Sequence, residues 1–110
     1  MRLNEQRFLT LAALSSGPLH GYGIAEEIRV LSDGHHTPRP GTLYHSLDKL
    51  LDQGLVEIDR EETVDGRLRR YYRLTAKGTE TVNVEAQRRA AAAQAALCRI
   101  GQATARWATP

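Results

Sequence analysis

Residues 40–59 read PGTLYHSLDKLLDQGLVEID, from Pro40 to Asp59, and the period of this stretch changes once. Up to Gly54, Leu43, Leu47, Leu50 and Leu51 recur at helical spacing, with Thr42, His45 and Lys49 on the other side. Pro40 can begin a helix without wasting a backbone donor, and Gly54 suits a left-handed C-terminal cap. Past Gly54 the period is two, with Val56 and Ile58 facing one way and Glu57 and Asp59 the other. The pattern predicts a helix from Gly41 to Gln53, leucines inward, running straight into a half-exposed strand.

Upstream, Phe8, Leu11 and Ala12, flanked by Leu14, mark an amphipathic helix from Glu5 to Leu14, stopped by Ser15-Ser16-Gly17-Pro18. Ile24, Ile28 and Leu31 mark the buried face of a second helix that runs to about Asp33-Gly34. The connector SDGHHTPRPG is rich in turn formers. Downstream, a second strand is expected at about Arg69 to Leu74, and Asp65-Gly66 favours a tight reversal. The two strands read as a hairpin with a mobile tip between Glu61 and Leu68. Thr75 can cap a last helix, with a fray or kink at Gly78 before an alanine-rich run from about Glu80 to Ala108. Ala86, Ala90, Ala93, Leu97, Ile100, Thr104 and Trp107 form a seam of mostly small residues suited to a partner helix.

At 110 residues the chain fits one small domain, which buries only about two thirds of its unfolded surface, so a partner chain would add burial. The formal net charge of +2 and a pI near 9.0 say little until the charges are located. Arg67, Arg69, Arg70 and Arg73 crowd one stretch, just after Glu57, Asp59, Glu61, Glu62 and Asp65. Cys98 is the single cysteine, which excludes an intrachain disulfide and a zinc site of paired cysteines. A reducing setting follows most simply. No apolar run approaches the roughly 20 residues of a membrane span and MRLNEQRF lacks a signal-peptide core, so a soluble cytoplasmic protein is expected. No nucleophile has a plausible base by motif, and no cofactor motif is present; a catalytic site and a bound cofactor are not expected.

Three helices followed by a hairpin is the order of a winged helix-turn-helix, in which the third helix enters the major groove and the hairpin touches flanking backbone. The expected fold class is mainly α with a small β-hairpin: a winged helix-turn-helix over residues 1–75 and a C-terminal dimerisation helix over 76–110. The polar side of the third helix fits the groove, being short and largely free of acids, with Asp48 and Asp52 at one edge.

The words HGYGIAEEI (His20 to Ile28), PGTLYHSLDKLLDQGLVE (Pro40 to Glu57) and DGRLRRYYRLTAKG (Asp65 to Gly78) resemble those of PadR-type transcriptional regulators, in the right order and over most of the first 78 residues. The resemblance implies a dimeric winged-helix repressor, a pseudo-palindromic operator, and a C-terminal helix that supplies much of the dimer contact. It also implies that Tyr22 and Tyr44 meet the DNA backbone and that Arg67 is the wing arginine. The single C-terminal helix is similar to that of the shorter subgroup of the family.

The candidate DNA contacts are therefore Tyr22, Arg39, Thr42, Tyr44, His45, Ser46, Lys49, Arg67 and Arg69, with His45 or Lys49 on base edges and Thr42 and Ser46 on phosphates. The competing reading is an ordinary solvated helix face, and for Tyr44 a core aromatic. The hairpin arginines alternatively pair with Glu57, Asp59, Glu61 and Glu62 across the strands, and Arg70 lays its stem along the core. Ala93, Leu97, Ile100 and Trp107 are the candidate dimer interface, and Trp107 is either an interface anchor or a wall of a pocket for a small apolar effector. His20, His35, His36 and His45 lack the spacing of a metal site, so no metal is expected. Cys98, beside the seam, reads as inert packing rather than a redox switch. The rival function is a winged-helix module that docks a protein partner without specific DNA binding.

Overall fold

The computed structural model describes residues 3–108. Helix α1 (Glu5–Ala13) starts where the Asn4 side chain accepts a hydrogen bond from Arg7 N at 2.8 Å. Leu9, Leu11 and Leu14 are buried, while Phe8 and Ala12, expected inward, are half-buried against the core. Helix α2 (Gly21–Leu31) buries Ile24 and Ile28. It ends earlier than Asp33-Gly34 because both of those residues take positive φ, and Leu31 is exposed rather than on the buried face.

Helix α3 (Pro40–Asp52) buries Leu43, Leu47 and Leu50. Its end is a Schellman turn: Leu55 N donates to Leu50 O and Gly54 N to Leu51 O, with Gly54 at φ 72°. Strands β2 (Val56–Val64) and β3 (Arg67–Leu74) follow directly.

The hairpin is longer and better paired than its sequence suggests. Pairing runs out to Val64 opposite Arg67, and only Asp65 and Gly66, at φ 51° and 76°, form the turn. The expected mobile tip over Glu61 to Leu68 is thus ladder, because a two-residue turn with both φ positive matches the strand twist. Pairing skips Asp59, leaving a bulge between Ile58 and Arg60. Ile58 is exposed although Val56 is buried, so the core covers only the base of β2.

The hairpin is also not alone. Strand β1 (Leu19–His20) pairs with β3, Leu19 opposite Tyr72 and His20 opposite Tyr71, giving a three-stranded antiparallel sheet in the order β1-β3-β2. Two residues carry no readable period, so this strand has no signature in the sequence.

Helix α4 (Ala76–Ala108) runs through Gly78 without interruption, so the helix does not fray there. Thr75 caps it by accepting from Gly78 N at 3.0 Å. Val82 reaches the core, and Arg89 pairs with Glu5 and lies 4.0 Å over the Phe8 ring, which fastens α4 to α1. From Ala90 to Trp107 every residue but Ala95 and Ala103 is exposed. The projecting helix gives the chain its extents of 69 × 27 × 21 Å.

Candidate nucleic-acid interface

The outward arc of α3 carries Thr42, Tyr44, His45 and Lys49, all exposed, with Asp48 and Asp52 beside them. Arg39 stands exposed at the start of the helix, without a side-chain capping bond. Ser46 departs from the expected set. It is 6% exposed and lies in the buried row with Leu43, Leu47 and Leu50, so its hydroxyl is not on the arc offered to a phosphate. The expectation failed because a serine is small enough to sit at the core edge of a helix whose leucines do the packing.

Tyr22 and Tyr44 are 79% and 48% exposed, so neither is a core aromatic. Tyr44 leans across the start of α2, where a Cβ on Gly21 would meet its hydroxyl at 2.5 Å. A side chain at position 21 would therefore have to displace the end of the Tyr44 ring. His20 caps α2: its Nδ1 accepts from Gly23 N at 3.3 Å, and its ring meets the Tyr71 ring edge-on at 5.3 Å. Tyr22, Tyr44 and Arg69, together with His20, line one small cleft of about 160 Å³. Residues from α2, α3 and the wing therefore converge, and two hydroxyls with a guanidinium are the donors a phosphate takes.

The wing arginines divide into two groups. Arg73 bonds Glu57 at 2.8 Å and Asp59 at 3.0 Å, Arg60 bonds Asp59 and Glu62 at 2.8 Å each, and Arg70 bonds Glu61 at 3.1 Å. Arg60 also lies 3.9 Å over the Tyr71 ring. Arg70 is thus an exposed ion-pair partner rather than a stem laid along the core. Among the described residues, Arg67 and Arg69 enter no ion pair within 4.0 Å. The Arg60 hydrogen bond, aided weakly by the charge of Arg69, holds the Glu62 carboxyl below its ordinary range. Burial pushes the Tyr72 hydroxyl up, partly offset by Arg70.

Elsewhere, no three His, Cys, Asp or Glu side chains cluster as metal ligands among the described residues. Cys98 is exposed on the single chain, not packed. Leu97, Ile100 and Trp107 are 65%, 61% and 82% exposed. Ala93 is exposed as well. No helix among the described residues is long and apolar enough to cross a membrane.

The sequence profile of the transcriptional regulator PadR-like family matches residues 10–84. The transcriptional regulator YqjI of Escherichia coli (strain K12) is 41% identical over 58 residues, which are 53% of this chain and 28% of that protein. An uncharacterized 37.1 kDa protein in transposon TN4556 of Streptomyces fradiae is 41% identical over 86 residues, 78% of this chain and 23% of that one. The chain therefore spans about a quarter of the length of the curated relatives it matches. The structure of Bacillus subtilis PadR in complex with operator DNA superposes with a TM-score of 0.65 at 22% identity, over 74% of this chain and 46% of that chain. A PadR family transcriptional regulator from Eggerthella lenta superposes with a TM-score of 0.63 at 27% identity, over 84% and 79%. The winged-helix fold, the long last helix and the match across residues 10–84 agree, and the chain belongs to the PadR-like family of transcriptional regulators.

Proposed function

We propose that this chain is a sequence-specific DNA-binding regulator, acting as a homodimeric repressor on a two-fold symmetric operator. The observation that carries the reading is the cleft where Tyr22, Tyr44 and Arg69 converge beside the exposed arc of α3. Arg67 and Arg69 remain uncommitted while Arg60, Arg70 and Arg73 are neutralised by acids, so the free positive charge sits where flanking phosphates would run. In this reading His45 and Lys49 read base edges, and Thr42, Tyr22, Tyr44, Arg39, Arg67 and Arg69 hold the backbone. Ser46 is left out.

The seam of Ala93, Leu97, Ile100 and Trp107 supplies the dimer contact, since such large exposed apolar side chains along one helix mark an association surface. Two copies would then set their α3 helices about 34 Å apart, one turn of duplex. Trp107 is also the candidate wall for a small apolar effector between subunits. Quenching of its fluorescence by planar hydrophobic compounds tests that role, and no response counts against it.

Fluorescence anisotropy on DNA upstream of the chain's own gene, at low and moderate salt, tests the main reading. Tight binding is expected to weaken steeply with salt, to compete past random duplex, and to collapse in Lys49→Ala with Arg67→Ala. Equal, weak binding to any duplex, indifferent to those substitutions, would favour the protein-docking alternative.

A further inference from the structure

The turn that ends α3 and the start of α4 are joined by contacts that none of the roles above uses. Lys77 Nζ donates to Gln53 O at 3.1 Å, Thr75 Oγ1 donates to Gly54 O at 2.7 Å, and Thr75 N donates to Leu55 O at 3.1 Å. Three consecutive carbonyls are thus held by the first residues of α4 and its cap. The last carbonyls of a helix are its negative pole, so the Lys77 ammonium adds electrostatic attraction to its hydrogen bond. Gly78 completes the joint. A Cβ there would be driven into the Leu55 carbonyl, 2.8 Å from its carbon, so backbone touches backbone. Thr75 serves both sides at once, because the hydroxyl that binds Gly54 also accepts from Gly78 N at 3.0 Å.

Val82 and Arg89 fasten α4 to α1, whereas this joint fastens it to the end of the recognition helix. From Gly78 to Ile100, α4 runs about 33 Å at 1.5 Å per residue. A tilt of about 5° at the joint, viewed from Ile100, moves the rest of the chain by about 3 Å, close to the roughly 3.4 Å rise of one base pair. Small errors there would put α3 out of register with a symmetric site.

We propose that Thr75, Lys77 and Gly78 are positioning residues that fix the angle between α3 and α4, and thereby the half-site spacing that a dimer accepts. The spacing role rests on the DNA-binding reading above; the fixed angle does not. None of the three residues touches DNA in this account. They act by holding the helix that does.

The test has two arms. In the first, nitroxide labels are placed on native Cys98 and on Thr42→Cys, and the labelled chain is diluted into unlabelled protein so that pulsed EPR reads the distance within one chain. The parent is expected to give one narrow distance. Lys77→Met should broaden it, Lys77→Arg should restore it, and Gly78→Ala should shift its mean. In the second arm, unlabelled proteins bind a symmetric operator selected from random duplex and the same operator with one base pair inserted between half-sites. The parent should lose about tenfold on the insertion, and Lys77→Met less than about threefold, with binding to a single half-site unchanged.

An unchanged distance in folded Lys77→Met and Gly78→Ala would overturn the proposal, and Lys77→Met keeps the test alive if Gly78→Ala does not fold. A broadened distance with spacing preference intact would also overturn it. If the parent shows no preference for symmetric DNA, the DNA-binding reading fails and the spacing role falls with it, while the EPR arm still decides whether the joint fixes the angle.

Discussion

The head of the molecule and the outer part of α4 are built on opposite terms. In the head, Leu11, Ile24, Ile28, Leu47, Leu50 and Leu55 are sealed from solvent, and helices, sheet and caps agree with one another. Beyond Arg89 a single helix continues for several turns with Leu97, Ile100 and Trp107 in water. An alanine-rich helix has the propensity to persist, yet most helical stability comes from packing a face, and this face is unpacked within one chain. Stability in the head is internal. In the arm it is conditional on what covers the seam.

The largest expected effect follows from breaking the head. Leu47→Ala removes a side chain with no solvent exposure and should destabilise the fold by about 2–5 kcal/mol, read by chemical denaturation. A loss under 1 kcal/mol would mean the head is no better packed than the arm. Next, Leu97→Asp with Ile100→Asp should weaken self-association by more than about 100-fold in sedimentation while leaving the head's circular dichroism intact. A dimer that survives both charges would show that the seam is not the contact.

Smaller effects separate the free from the committed cations. Lys49→Ala should weaken operator binding about tenfold and relax specificity, whereas Arg67→Ala should weaken all sequences alike and lower the salt slope by about one. The same change at Arg73, already paired with Glu57 and Asp59, should move neither.

The smallest effect is electrostatic and lies in the wing. The carboxyl of Glu62 is held below its ordinary value, first by the Arg60 hydrogen bond. A carboxylate depressed in the folded state stabilises above its unfolded value and loses that contribution as pH falls through the folded one. The gap in thermal midpoint between the parent and Glu62→Gln should therefore be present at pH 7 and close below about pH 4. A gap that persists in acid would assign it to packing instead.

The helix over residues 40–52 was legible because one short stretch holds a full apolar period, a proline start and a glycine stop. Helix α4 was legible for another reason, since its alanine-rich run has high helix propensity and Thr75 supplies a cap. Ser46 was misplaced because periodicity sorts leucines well but leaves a small polar residue at the arc's edge undecided. Strand β1 was invisible since its pairing partner, β3, lies some fifty residues away in sequence. The division of the wing arginines was only half legible: the acids nearby suggested pairs, but the register that assigns Glu61 to Arg70 and Glu57 to Arg73 depends on the bulge at Asp59. Gly21 and Gly78 belong to a further class, since a glycine that makes room for a tyrosine or a carbonyl leaves no pattern around itself.

In the order β1-β3-β2, strand β2 is an edge of the sheet, with a row of backbone groups open to solvent. Such an edge invites another chain's strand to add to it. Here the bulge at Asp59 interrupts the row, and Glu57, Asp59, Arg60, Glu61 and Glu62 crowd it with charge that an incoming copy of the same edge would have to match against itself. The other edge, β1, is only two residues long. The bulge and the ion-pair ladder therefore disfavour the addition of a strand from another chain at this edge.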